Sequence, residues 1–117
     1  MSRRPDGALE RDIMEVLWGA DAPLTPAEVR DRLEVELAYT TVMTVLGRLH
    51  DKGRANRQQR GRAFAYAAAV SESELAGEKM NAVLSTSSDR VGALGGFIGG
   101  LSGRDRAALR KLLEGPK

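Results

Sequence analysis

The chain of 117 residues has no cysteine and a single histidine, His50. Without cysteine there is no disulfide, no thiolate nucleophile and no cysteine-based zinc or cluster site. One histidine is too few for a multi-histidine metal cage, so we expect neither a metal nor a cofactor. No paired carboxylates and no nucleophile turn accompany His50. The composition therefore argues against an enzyme.

Long apolar runs are also missing. The longest, around residues 64–70, is far shorter than the ~20 residues that a membrane span needs. The amino terminus carries charges with no apolar core behind them, which is unlike a signal peptide. Because 42% of the residues are hydrophobic and no tract is biased, fibrous and disordered classes are disfavoured. We expect a soluble, cytoplasmic protein.

Positive charge is concentrated in one short stretch. Residues 48–62 contain six Lys or Arg against one acidic residue, whereas residues 1–47 contain five against nine. A stretch of this kind is either a solvated loop or a surface that faces phosphates.

Hydrophobic spacing predicts three helices in the first half of the chain. The first covers about Ala8–Trp18. The second begins with the capping box Thr25–Glu28 and extends to about Glu36. The third covers about Tyr39–Lys52, with Gly53 as its left-handed carboxyl cap. The apolar stripe of the third helix is Val42, Val45, Leu46 and Leu49.

A β-hairpin is predicted to follow. Its strands are Arg54–Gln58 and Arg62–Ala67, joined by a turn at Gln59–Gly61. Phe64 and Tyr66 share one face because side chains alternate along a strand, and we assign both to the core. Three short helices and a hairpin are the order of a winged helix-turn-helix, whose second motif helix enters the major groove of DNA.

The third helix and the hairpin, which is the wing, supply the candidate DNA-binding residues. If the apolar stripe faces the core, the opposite face carries short hydroxyls and a methionine that allow close approach to base edges. Each threonine taken alone is better explained by capping or by ordinary solvated surface. Together with the basic wing they favour DNA. The candidates are Tyr39, Thr40, Thr41, Met43, Thr44, Arg48, Arg57, Arg60 and Arg62.

Two other functions stay open on these residues. A winged helix can be a protein–protein adaptor without sequence-specific DNA binding, because a fold does not fix a function. Such an adaptor would more often expose apolar residues on the third helix. An RNA-binding winged helix often uses aromatic side chains for stacking, which the assignment of Phe64 and Tyr66 to the core disfavours.

The rest of the chain is predicted to be a helical tail. The capping box Ser71–Glu74 starts one helix, and Ser102 with Asp105 starts another that ends at Gly115–Pro116. We therefore predict a mainly α fold: a winged helix-turn-helix domain of three helices plus a β-hairpin wing over residues 1–70, and a helical dimerisation region over residues 71–117.

Between these two helices, six glycines fall within residues 92–103. On a helix, glycines 92, 96 and 100 and glycines 95, 99 and 103 would form two smooth rows. Each costs about 1 kcal/mol relative to alanine, so the segment is a flexible linker or a helix that forms only when it packs. The interleaved apolar residues favour packing in a dimer. The dimerisation candidates are Leu75, Met80, Val83, Leu84, Val91, Leu94, Phe97, Ile98, Leu101, Leu109, Leu112 and Leu113.

Three segments resemble one known family. Ala38–Gly53 resembles the recognition helix, Leu9–Trp18 the opening helix and Gly61–Tyr66 the wing of the penicillinase-repressor family, the BlaI/MecI/CopY group. The resemblance spans essentially the whole chain. It implies a homodimeric transcriptional repressor that binds inverted repeats of double-stranded operator DNA in front of antibiotic-resistance or stress genes.

The resemblance also implies a way of releasing the repressor. In the family, a membrane sensor protease or a metal usually inactivates the tail. The proteolytic cut falls just before a phenylalanine that looks like Phe97, so Gly96 and Phe97 flank the candidate cleavage point. The best-known members have asparagine where this chain has Gly96. CopY-type members sense copper through carboxy-terminal cysteines, which are missing here.

Overall fold

The computed structural model describes residues 6–115. The amino terminus before Asp6 and the expected helix stop at Pro116 lie outside this range. The elements are α1 (Asp6–Trp18), α2 (Pro26–Arg32), α3 (Tyr39–Asp51), β1 (Ala55–Arg60), β2 (Ala63–Ala68), α4 (Glu72–Ser85), α5 (Arg90–Gly99) and α6 (Gly103–Glu114). The predicted winged helix-turn-helix with further helices after it is confirmed.

The second helix begins as predicted but ends earlier. Glu28 N donates to Thr25 Oγ1 at 3.3 Å and Thr25 N donates to Glu28 Oε1 at 2.9 Å, which completes the capping box. The predicted extension to Glu36 is wrong, because the helix ends at Arg32 and Leu33 is extended. Residues 33–37 alternate between half-buried and exposed. The half-buried residues of this segment include Leu33 and Leu37, which pack against the core.

The apolar stripe of α3 forms the centre of the core. All four of its predicted residues are buried, and they pack with Ile13, Met14 and Leu17 of α1 and with Val29 of α2. Burying each side chain of this size stabilises the fold by roughly 1.5–3 kcal/mol. The helix ends at Asp51, and Gly53, directly after the C-cap Lys52, has a φ of 77°, the left-handed conformation predicted for it. The outer face of α3 is consequently left to solvent.

The wing is a two-stranded antiparallel sheet whose register runs from Ala55↔Ala68 to Arg60↔Ala63. Leu24 extends the sheet on the other edge of β2. The Leu24 N–H donates to the carbonyl of Tyr66 at 2.8 Å, and the Tyr66 N–H donates to the carbonyl of Leu24 at 2.7 Å. Gly61 occupies the first position of the two-residue turn with φ 64°, which favours glycine. Each strand begins one residue later than predicted.

The chain divides into two compact units between Leu75 and Ala76, five residues after the expected domain boundary. The first unit continues past the wing because Leu75 is buried and Glu72 pairs with Arg11 of α1. In addition, the indole N–H of Trp18 donates to the carbonyl of Val70 at 2.9 Å. The first turn of α4 therefore belongs to the winged-helix unit.

In the second unit, the glycine-rich segment forms a helix, α5. This helix is too short to include all the glycines of the two predicted rows. Asp89 caps α5 by accepting a hydrogen bond from the N–H of Gly92 at 2.9 Å, and a Cβ at Gly92 would clash with that carboxylate. The helix ends at Gly99 and Gly100 is its C-cap, so the predicted rows through Gly100 and Gly103 are interrupted. The predicted start of α6 is confirmed, since Ser102 Oγ accepts from Asp105 N.

Candidate nucleic-acid interface

The DNA-binding candidates of α3 that were predicted from the sequence lie on its outer face. Thr40, Met43, Thr44 and Arg48 are exposed, Tyr39 is 37% exposed, and Thr41 is half-buried. The N-cap of α3 is Ala38, which offers no side-chain cap. Capping therefore does not account for the threonines. Such a row of short polar side chains on an exposed helix can approach base edges in a major groove.

Tyr39 at the start of α3 has a partner on α2, Arg30, that is not among the predicted DNA-binding residues. The guanidinium carbon of Arg30 lies 5.7 Å from the centroid of the Tyr39 ring. Arg30 is exposed and lies in the last turn of α2. A cation here adds positive charge beside the amino end of α3. The only local signal was a basic residue near a helix carboxyl terminus, which is favoured there whatever the function.

Basic residues of the stretch 48–62 have different surroundings. Lys52 Nζ lies 2.7 Å from Glu10 Oε2, and Arg54 Nη1 lies 3.4 Å from Glu10 Oε1. Glu10 is only 8% exposed, and a buried carboxylate requires such partners. These two cations tie the end of α3 to α1. Of the other four basic residues of the stretch, Arg48 is exposed on α3 and three lie on the wing.

The three wing arginines have different surroundings. Arg62 is exposed at the turn. Arg60 donates to Glu28 Oε1 at 2.7 Å and to the carbonyl of Pro23 at 3.3 Å. Arg57 stacks over the ring of Phe64, with its guanidinium carbon 4.2 Å from the ring centroid. The assignment of Phe64 to the core is wrong: its side chain is 42% exposed, because β2 extends past the core towards the turn, whereas Tyr66 is buried.

The carboxylate of Glu28 links α2 to the wing. Its pKa lies below the usual range, mainly because the backbone N–H of Thr25 donates a hydrogen bond to the ionised carboxylate. The Arg60 guanidinium lowers the pKa further, because it also donates a hydrogen bond to this carboxylate and carries the opposite charge. Glu74 shows the same effect at the start of α4, where the N–H of Ser71 lowers its pKa. Both carboxylates are therefore charged at neutral pH.

Most of the dimerisation candidates are exposed in the single chain. Leu75 is buried within the first unit. Leu84, Leu101 and Leu109 are half-buried. The exposed residues are Met80, Val83, Val91, Leu94, Phe97, Ile98, Leu112 and Leu113. Neither α5 nor α6 has a buried residue. Apolar side chains exposed together on two helices are typical of an interaction surface.

The candidate cleavage point lies inside a helix. Gly96 and Phe97 are both in α5, and the Phe97 side chain is 48% exposed. Four of the ten residues of α5 are glycines. Each weakens a helix by about 1 kcal/mol relative to alanine.

Metal and membrane sites are not found in the described part of the chain. Across residues 6–115, no group of three or more His, Asp or Glu side chains is arranged to hold a metal ion. No helix in the same range has the length and apolar character needed to cross a membrane.

Comparison with known proteins gives two sequence matches that cover nearly the whole chain. A family model described as penicillinase repressor matches residues 7–115. The transcriptional regulator BlaI of two Mycobacterium tuberculosis strains is 37% identical over 112 residues, which are 92% of this chain and 81% of that protein.

Likenesses to solved structures are weaker. The Bacillus licheniformis BlaI monomeric form, solved in solution in complex with the blaP half-operator, is 28% identical with a TM-score of 0.48; the match covers 63% of this chain and 88% of that one. The PcaV transcriptional regulator of Streptomyces coelicolor, crystallised with its natural ligand, is 18% identical with a TM-score of 0.48; the match covers 92% of this chain and 71% of that one.

Proposed function

Because the chain belongs to the penicillinase repressor family, we propose that it represses transcription by binding operator DNA as a homodimer. The observation that carries this proposal is the outer face of α3. It exposes short polar side chains at Thr40 and Thr44, with Met43 between them, while the opposite face is buried in the core. This division leaves the polar face of a winged helix free for the major groove.

In this proposal, α3 reads bases and the wing binds the backbone. Thr41 and Thr44 supply hydroxyls to base edges, and Met43 contacts thymine methyl groups. Tyr39, Thr40 and Arg48 lie at the edges of the same site, where they position the helix. Arg57, Arg60 and Arg62 lie on the wing and contact phosphates or the neighbouring minor groove. Phosphate contacts supply affinity, whereas contacts to bases supply specificity.

The tail is proposed to join two copies. Its apolar residues on α4, α5 and α6 are exposed in the single chain, and burying them against a partner is favourable. A second copy of the chain presents the same apolar surface and can pack against the first with two-fold symmetry. Two winged-helix units then read two half-sites of an inverted repeat. One small module contacts few bases, so the second half-site multiplies the discrimination.

Release is proposed to follow from cleavage of the tail between Gly96 and Phe97 by a membrane sensor protease. We further propose that the regulated genes belong to antibiotic resistance or a stress response, and that the repressor acts in the cytoplasm. The glycine content of α5 supports the cleavage point, because a helix weakened by four glycines opens locally at low cost.

Salt dependence tests this function against the adaptor alternative. The full chain is titrated with a duplex of mixed sequence at several salt concentrations. A protein that neutralises Z phosphates gives a slope of log K against log salt of about −0.9Z. We expect a steep negative slope. Absent or salt-independent binding would contradict the proposal and favour an adaptor.

A further inference from the structure

Phe64 is an exposed aromatic residue of the wing that no core contact explains. It lies on β2 opposite Gln59, and 42% of its side chain is exposed. Exposing an aromatic ring to water is unfavourable, so the position of Phe64 needs an explanation. Its contact with Arg57 supplies one: the guanidinium carbon lies 4.2 Å from the ring centroid, within the range of a close cation–π stack.

The register of the hairpin creates this stack. Arg57 is paired with Tyr66 and Gln59 with Phe64, so Arg57 and Phe64 are diagonal neighbours on one face of the sheet. A free arginine side chain has about 2 kcal/mol of rotamer entropy to lose on binding. Stacking on the ring restricts the side chain before any ligand arrives. The guanidinium N–H groups lie in its plane, so stacking through the face leaves them available as donors.

The charge of Arg57 is also less compensated than that of Arg60. Arg60 contacts the carboxylate of Glu28 at 2.7 Å. For Arg57, no ion pair with an Asp or Glu is found among the described side chains, those of residues 7–115. Arg57 is therefore a wing cation that is oriented by an aromatic ring and not by an anion.

We propose that Phe64 is a positioning residue for DNA binding, which holds the Arg57 guanidinium so that it donates two hydrogen bonds to one backbone phosphate. A planar fork that is already oriented matches a phosphate in bidentate geometry. This inference rests on the proposed function, and it adds a residue that does not itself touch the DNA. It predicts that the effect of Phe64 on binding depends wholly on Arg57.

A double-mutant cycle tests this dependence. Wild type, Phe64→Leu, Arg57→Ala and the double variant are titrated with the duplex that the wild type selects from a random pool. Phe64→Leu is expected to weaken binding about two- to fivefold, which corresponds to the worth of an exposed cation–π contact. It keeps the charge of Arg57, so the salt slope is expected to stay unchanged. In the Arg57→Ala background, Phe64→Leu is expected to have no further effect.

Two further measurements separate positioning from a merely structural role. Phe64→Tyr keeps the face of the ring and is expected to keep wild-type affinity. In the free protein, NMR is expected to show the side-chain protons of Arg57 shifted by the ring current of Phe64. This shift is expected to persist in Phe64→Tyr and to vanish in Phe64→Leu. Thermal unfolding of each variant identifies a temperature at which all of them are folded.

Three results would overturn the inference. They are unchanged affinity of Phe64→Leu, an equal loss from Phe64→Leu with and without Arg57, and the absence of a ring-current shift in the wild type. Each is compatible with operator binding by the wild type, so each defeats only this inference. Failure of the proposed function would appear differently, as a wild-type chain that selects no duplex, and would remove both proposals.

Discussion

Glu28 Oε1 accepts hydrogen bonds from Arg60 Nη2 at 2.7 Å and from the backbone N–H of Thr25 at 2.9 Å. One carboxylate therefore caps α2 and neutralises an arginine at the end of β1. Both side chains are close to half exposed, so the ion pair itself contributes little stability. Its consequence for binding is larger, because a phosphate that approaches Arg60 must compete with this carboxylate.

We expect the two arginines that flank the wing turn to differ in their effect on DNA binding. Arg62→Ala should weaken binding to all sequences alike and reduce the salt slope by about one unit. Arg60→Ala should reduce the slope by less, because Glu28 already neutralises that charge. In a Glu28→Gln background, the effect of Arg60→Ala should rise to that of Arg62→Ala. Equal slopes for both single variants in the wild-type background would contradict this account.

Thr44→Ala should separate specific from non-specific binding. Thr44 is exposed on α3, where its hydroxyl is proposed to contact a base edge. A base contact of good geometry is worth about 1–3 kcal/mol of discrimination, so affinity for the selected operator should fall while affinity for random duplex stays nearly unchanged. Thr86→Ala, at an exposed threonine outside the winged-helix unit, is the matched control. Equal losses on both duplexes would show that Thr44 reads no base.

The capping carboxylate of α2 should make stability depend on pH in the acid range. The pKa of Glu28 is lower in the folded chain than its usual value, so the folded state binds this proton less tightly than the unfolded state. Its stabilising effect is therefore present above about pH 4.3 and is lost as the pH falls through the lowered value. Glu28→Gln should have a lower Tm than wild type at pH 7, and the difference should narrow below about pH 4.

The fluorescence of Trp18, the single tryptophan of the chain, reports this unfolding from within the first unit. Glu36→Gln is the control, since Glu36 is exposed in the connection between α2 and α3. A difference between wild type and Glu28→Gln that stays constant from pH 7 to about pH 3 would refute the assignment to this carboxylate.

Removing the end of the tail should separate dimerisation from folding. A chain that ends at Gly96 lacks α6 and the apolar residues Phe97 and Ile98 of α5. It should sediment as a monomer and lose operator affinity, because one half-site alone is bound weakly. Trp18 fluorescence should show that the winged-helix unit stays folded. A chain ending at Gly115, which keeps all described helices, is the control; a dimer with full affinity after truncation at Gly96 would overturn the proposal.

Local signals in the sequence predicted most of the fold. The stripe of α3, the left-handed Gly53 after its end and the capping boxes at Thr25 and Ser71 depend on residues within one or two helical turns, so spacing and residue type suffice. The early end of α2 also had a local signal. Leu33, Val35 and Leu37 alternate with glutamates, and this period of two indicates extended backbone.

Contacts between distant residues could not be predicted in this way. Glu10 pairs with Lys52 across 42 positions, and Arg60 pairs with Glu28 across 32. Both depend on how the helices and the wing pack. The outward-facing residues of α3 could be predicted from its buried stripe. The part of the candidate interface that lies on α3 was therefore predictable. The different environments of the wing arginines, and the exposure of Phe64, required the hairpin register and its position beyond the core.

Selection of bound sequences from a pool of random duplexes tests the central claim most directly. The full chain is incubated with the pool, and the bound duplexes are recovered and sequenced over several rounds. Binding by a homodimer through α3 predicts enrichment of an inverted repeat, with half-site centres about one helical turn or a multiple of it apart. Enrichment of no sequence, or of a single site without two-fold symmetry, would contradict the claim that this chain is a dimeric, sequence-specific repressor.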